Sequence, residues 1–138
     1  MYNTGIMRFK IHSDEYGRLT PVESGIDIPF EIKRVYYIYN VLSDVTRGLH
    51  SHNKLHQVLI ALGGSVKIRI KTPSDEQVIE LYDPAEGLYI GPYVWREMFD
   101  FSAGSTLLVL ASELYDENDY IRDYCEYVRK NPLERGKI

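Results

Sequence analysis

The sequence predicts an all-β domain, a sandwich or barrel of short strands followed by one helix. Three observations carry this: short β-branched, aromatic or alternating runs recur up to about residue 111, clusters of Gly, Pro and Asp separate them, and helical periodicity occurs only near the C-terminal end. RVYYIYNV (34–41) is rich in β-branched and aromatic residues. RGLHSH (47–52) reads as an extended strand, and QVLIALGG (57–64) is a short apolar run closed by a Gly pair. SVKIRIK (65–71) alternates, with Val66, Ile68 and Ile70 on the core face and Lys67, Arg69 and Lys71 towards water. TPSDE is a turn, QVIELY a strand, DPAEG a turn, and LYIGPYVWREMFDF carries two strands around Gly91-Pro92. SAGS leads to the strand TLLVLA (106–111). Tyr120, Tyr124 and Tyr127, with Ile121, Cys125 and Val128, recur at three and four, which predicts a helix over about 117–130, stopped by Pro132. The barrel is expected over about 6–112, within a single domain spanning 1–138.

Composition removes several classes of function. Sixteen Lys and Arg against twenty Asp and Glu give a net charge of -4, with the cations scattered, which argues against a nucleic-acid partner. Cys125 is the only cysteine, so no intrachain disulfide and no thiolate zinc cluster is available. No stretch reads as a signal peptide or approaches the length of a membrane span, so the expected location is the cytoplasm with no membrane partner. Tyrosine is over-used, with twelve copies beside four Phe and one Trp, and its apolar ring with a polar tip suits strands, interfaces and pocket walls.

Three of the four histidines fall within seven positions, in RGLHSHNKLHQ (47–57). Side chains two apart on a strand share a face, so His50 and His52 converge on one spot while Leu49 and Ser51 point away. Such a pair suits proton transfer or metal ligation, because imidazole titrates near pH 6.5 and is a common ligand. Taken alone, it also fits two hydrogen-bonded strand residues.

The spacing of His50, His52, His56 and Gly63 resembles the first motif of the cupin barrels, with His56 where a glutamate is usual. GPYVWR (91–96) resembles the second motif, with Arg96 in place of its histidine. This resemblance implies a cupin, a double-stranded β-helix or jelly-roll barrel, with a short C-terminal helix. A guanidinium cannot become a metal ligand and repels a dication, so a metal-free site is favoured, with His50, His52 and His56 left as an alternative metal set.

RVYYIYNV, RGLHSHNKLHQVLI, WREMFDFSAGSTLLVLAS and YDENDYIRDY, in this order across about residues 6–128, resemble the cupin-fold dTDP-sugar 3,4-ketoisomerases, the WxcM-like group. The resemblance implies conversion of dTDP-4-keto-6-deoxyglucose to a 3-keto sugar without metal or organic cofactor, on the way to amino sugars of lipopolysaccharide or natural products. It also implies a homodimer with exchanged N-terminal strands. Where the family commonly has HAHK, this chain has HSHNK, with Asn53 in the lysine's place and Lys54 one residue later.

The resemblance further implies that His50 is the base and that His52 orients it or relays protons. Arg96 would hold His50 neutral and bind the enediolate oxygen. Tyr16 would line the cavity, and Tyr16 together with Arg96 resembles the subgroup yielding 3-keto-6-deoxyglucose rather than the galacto product. Arg47 and Lys54 are candidate phosphate contacts, Tyr37 and Tyr39 candidate base contacts, and Gln57 a candidate hydrogen-bonding partner of the sugar or nucleotide. Trp95 reads as core or pocket wall, and the C-terminal aromatic residues as packing for the helix. The competing readings are a cupin 3,5-epimerase on the same sugar, a metal-dependent cupin enzyme and a non-catalytic nucleotide-sugar-binding cupin.

Overall fold

The computed structural model describes residues 1–135. Its strands are β1 (Thr4–Arg8), β2 (His12–Asp14), β3 (Gly17–Leu19), β4 (Arg34–Tyr39), β5 (Arg47–His52), β6 (Gln57–Gly63), β7 (Val66–Thr72), β8 (Asp75–Leu81), β9 (Glu86–Ile90), β10 (Trp95–Phe99), β11 (Thr106–Ala111) and β12 (Tyr120–Ile121). Two helices follow, α1 (Tyr124–Lys130) and α2 (Pro132–Arg135). Ten of the strands form two five-stranded sheets, in the orders β1-β9-β6-β11-β4 and β12-β5-β10-β7-β8, and every pairing is antiparallel. β2 and β3 make a separate two-stranded ribbon.

The main core lies between the two sheets, where the alternating residues Val66, Ile68 and Ile70 of β7 meet Leu59 and Ala61 of β6, Leu88 and Ile90 of β9, and Leu107 and Val109 of β11. β7 shows the predicted half-buried strand, with each apolar side chain inside and Lys67, Arg69 and Lys71 partly exposed. β6 is buried on both faces, which explains why its sequence is a continuous apolar run rather than an alternating one. Its inner face meets the opposite sheet, and its outer face, Val58 and Ile60, packs with Phe9, Ile28 and Leu110 in a second cluster.

The C-terminal segment departs from the predicted single helix. Asp116 caps a 3₁₀ turn at Glu117–Asp119, and Tyr120 and Ile121 then pair with His52 and Ser51 of β5. The α-helix begins only after Asp123, whose carboxylate accepts the N–H groups of Cys125 and Glu126. It ends at Lys130, and Pro132 opens α2. Strand pairing overrode the helical spacing at Tyr120 and Ile121. The aromatic residues do pack the helix: Tyr127 is buried, its ring is 5.6 Å from that of Trp95, and its hydroxyl donates to the Tyr93 carbonyl (2.9 Å).

Candidate functional site

The polar interior of the barrel is built from inward positions on four strands. β5 supplies His50 and His52, β10 Arg96, β6 Gln57, and β4 Tyr36, while their neighbours Trp95, Tyr37 and Tyr39 point outwards or over the β4 edge. Arg96 stands directly across the strand pair from His50. A bulge follows: Glu97 pairs with Gly48, so Leu49 is the extra residue, exposed and at φ 57. Gly48 has φ +85, and a Cβ there would lie 3.0 Å from Met98 Cε and 3.1 Å from the Arg96 carbonyl oxygen, so this turn requires glycine.

The bulge sets the state of His50. Its Nδ1–H donates to the Gly48 carbonyl (2.9 Å), and since a carbonyl can only accept, Nε2 is the bare nitrogen. Burial, then the Arg96 guanidinium, pull its pKa down to about 3, so the ring is neutral at physiological pH. His52 is fully buried, with its ring edge-on to His50 at 4.8 Å and tilted against Tyr120 at 4.3 Å. Burial, then Arg96 and His50, push it further down as well. Arg96, although lowered by burial to about 10, stays a cation.

Arg96 donates to Gln57 Oε1 and to the Val94 carbonyl (3.0 Å), and Gln57 Nε2 donates to the Tyr36 hydroxyl (2.8 Å). The guanidinium therefore reaches Tyr36 through an amide, and a hydroxyl that accepts from Gln57 keeps its own proton to give. Burial raises the Tyr36 pKa, which keeps that proton in place.

His50 and Tyr36 open onto a cavity of about 500 Å³. Its wall carries three guanidinium groups, Arg34, Arg47 and Arg122, and three further tyrosines, Tyr37, Tyr39 and Tyr120, with no carboxylate among the described lining residues. Arg122 is clamped by Glu117 through two bonds (2.9 and 3.0 Å), whereas Arg34 and Arg47 have no carboxylate partner among the described residues. Such a wall suits an anion with two or more negative charges joined to a flat ring. A second hollow of about 410 Å³ lies beyond Tyr120, lined by His52, Lys54 and Asp119 among others.

Of the sequence-predicted residues, His50, Arg47, Tyr37 and Tyr39 line the larger cavity, and His52 and Arg96 stand behind His50. Four expectations change. Arg96 is fully buried and donates to Gln57 and the Val94 carbonyl, and it does not line the cavity, which leaves no surface for contact with a sugar oxygen. Gln57 is buried against Tyr36 and lines neither of these two hollows. Lys54 lines the second hollow, not the first. Tyr16 lies on the β2–β3 ribbon, 89% exposed and away from this chain's histidine pair. His56 is also apart: its Nδ1 bonds the Tyr89 hydroxyl (2.7 Å) and its ring lies near Phe30, so it does not join His50 and His52. Among the described residues no group of three or more His, Cys, Asp or Glu is arranged to hold a metal ion. Sequence reasoning missed Tyr36, Tyr120, Arg34, Arg122 and Asp119. In RVYYIY each face carries a tyrosine and an aliphatic residue, so periodicity alone leaves the inward tyrosine ambiguous.

The family model described as "FdtA: WxcM-like, C-terminal" matches residues 2–131. The TDP-4-oxo-6-deoxy-alpha-D-glucose-3,4-oxoisomerase of Aneurinibacillus thermoaerophilus is 46% identical over 133 residues, covering 94% of this chain and 96% of its own. A mutant of the 3,4-ketoisomerase QdtA from Thermoanaerobacterium thermosaccharolyticum, solved with TDP-4-keto-6-deoxyglucose, is 62% identical with a TM-score of 0.94, covering 96% of each chain. The WlaRB TDP-quinovose 3,4-ketoisomerase of Campylobacter jejuni is 44% identical with a TM-score of 0.91, covering 94% of this chain and 100% of its own. A 3'-monoepimerase from Streptomyces bikiniensis is similar in fold alone, at 14% identity and a TM-score of 0.74 over 86% of this chain and 68% of its own.

Proposed function

From the premise that this chain belongs to the FdtA, WxcM-like family of cupin-fold TDP-sugar 3,4-ketoisomerases, we propose that it moves the carbonyl of dTDP-4-keto-6-deoxyglucose from C4 to C3 with His50 as the base. The observation that carries the assignment is the state of His50: neutral, with Nδ1–H tied to Gly48 and Nε2 bare, at the wall of a cavity rich in arginine and tyrosine. Nε2 takes the proton from C3, and the electrons of that bond move to form the C3–C4 double bond. O4 gains negative charge and takes a proton from Tyr36, held ready by Gln57 and Arg96. The imidazolium then returns its proton at C4 as O3 loses its own to the phenolate, directly or by way of His52. Every electron stays in the sugar, so the isomerisation consumes no oxidant.

Arg34 and Arg47 hold the diphosphate, and Tyr37 with Tyr39, ring centroids 5.7 Å apart, face the base. The product is assigned as dTDP-3-keto-6-deoxyglucose: Tyr16 and Arg96 carry the resemblance to that subgroup, and quinovose, in the name of one relative, is 6-deoxyglucose.

The active unit is a homodimer with exchanged N-terminal segments. All six residues of the β2–β3 ribbon are exposed, and Ile11, Tyr16 and Leu19 leave apolar surface on or beside it. A lone two-stranded ribbon is at best marginal in water, so cover from a second copy supports this reading. Tyr16 then enters the partner's cavity.

Incubation with the substrate in deuterated water, followed by NMR, tests the assignment. The wild type moves the carbonyl and gives an equatorial C4 hydroxyl, and His50→Asn is slowed by at least about 100-fold while still binding TDP. Migration that persists in the variant overturns the base, and an axial hydroxyl overturns the gluco product.

A further inference from the structure

Asp119, in the 3₁₀ turn ahead of β12, has no part in the chemistry above, yet it is the one carboxylate within ion-pair reach of the buried imidazoles among the described residues. Its Oδ2 lies 3.3 Å from His52 Nδ1 without completing a hydrogen bond, and Nε2 has no partner either. A fully buried nitrogen with no partner is destabilising, so the imidazole gains by engaging that oxygen. The carboxylate is held from the other side: Oδ1 accepts the N–H of Lys54 (2.8 Å) and Oδ2 that of Leu55 (3.2 Å). The Asp119 carbonyl accepts the backbone N–H of Asn53 (3.0 Å) and its side-chain Nδ2–H (3.2 Å). The loop leaving β5 thus fixes the acid against the last histidine of that strand.

We propose that Asp119 is a positioning residue for the isomerisation, keeping the proton of His52 on Nδ1 and so leaving Nε2, the nitrogen turned away from it, free to take and return a proton. This rests on the assignment of the histidine pair to the reaction. The charged groups that weigh most on His52 oppose a positive charge there: Arg96 from β10, Arg34 from β4 and Arg122 after β12, with His50 beside it and the Tyr120 ring packed on it. Glu113 and Asp116 line the same hollow, but among the described residues Asp119 is the carboxylate within ion-pair distance of the ring. The ring is fully buried and touches no substrate; when a proton relayed from the sugar reaches Nε2, the Nδ1–H stays in place, an imidazolium–carboxylate pair forms, and the pair is discharged when Nε2 passes the proton back along the relay. The design is that of a buried carboxylate fixing a histidine tautomer.

The test is ¹⁵N NMR of histidine-labelled enzyme, with Asp119→Asn and Asp119→Glu beside the wild type. In resting wild type, His52 shows a protonated Nδ1 and a bare Nε2. Asp119→Asn shifts His52 towards the other tautomer and lowers kcat by at least about tenfold with KM changed less than about threefold, and Asp119→Glu recovers part of both. A wild-type His52 protonated on Nε2 overturns the proposal, whether or not the variants fold. So does an Asn variant with normal kcat, or one that loses activity with the His52 signals unmoved, which would make Asp119 a loop clip only. Carbonyl migration surviving His50→Asn sinks the assignment of the base and leaves the His52 spectrum to be judged by itself.

Discussion

The proposed role of His50 as base requires an uncharged ring when the sugar arrives, and burial and the guanidinium across the strand pair hold it so. The same arrangement makes the protein acid-sensitive. In the unfolded chain His50 and His52 take up protons as pH falls through about 6.5, while the folded state resists until about pH 3 for His50 and lower for His52. Between those values the unfolded state binds more protons, so unfolding is favoured progressively as pH falls, and stability is full only above about pH 6.5. At pH 5.5 the cost is about 1.4 kcal/mol per histidine. Urea unfolding at pH 7.5 and pH 5.5 is expected to show a lower midpoint at the acid pH, with the drop roughly halved in His50→Asn. An equal drop in the variant would mean that His50 is not held neutral by the fold.

At the scale of elements, the bulge at Gly48-Leu49 turns a plain strand into a site. It places the Gly48 carbonyl on His50 Nδ1 and lets β5 approach Arg96 and Met98 without a side chain between them. Gly48→Ala is expected to cost about 1–3 kcal/mol through the positive φ and the contact with the Arg96 carbonyl, and to lower kcat by moving His50. Thermal melting and steady-state rates on the same preparation check it: an unchanged kcat with a lowered Tm would separate the bulge from catalysis. The strands were legible in the sequence wherever the two faces differ, as in β7, or a Gly/Pro turn closes a run, as at the ends of β6 and β9. Legibility failed where one pattern serves two structures. Tyr120 and Ile121 fit a helical stripe, but their backbone groups pair with β5, and the better marker was Asp123 with Glu126 three residues on, an N-cap signature placing the helix start after Ile121. The bulge itself had only Gly48 to announce it.

For the whole molecule, topology determines which residues can meet. His50 and Arg96 sit far apart in sequence and side by side on adjacent strands, which motif spacing anticipated; the Arg96–Gln57–Tyr36 chain crosses from one sheet to the other, which no local pattern encodes. Tyr16 poses the reverse problem, since one chain leaves it exposed on a ribbon that joins neither sheet. If the ribbon serves a second copy, each active site needs two chains, and that has a consequence beyond oligomeric state. Mixing His50→Asn with Tyr16→Ala subunits, after unfolding and refolding together, would give heterodimers in which one site has both mutations and the other has neither. With random pairing, half of the dimers are mixed, so about one quarter of all sites regain wild-type composition. Activity in the mixture should rise above the mean of the two parents towards about 25% of wild type. If Tyr16 worked within its own chain, every site would keep one lesion and mixing would add nothing. A mixture no more active than its parents, with heterodimers shown by native mass spectrometry, would rule out the exchanged arrangement.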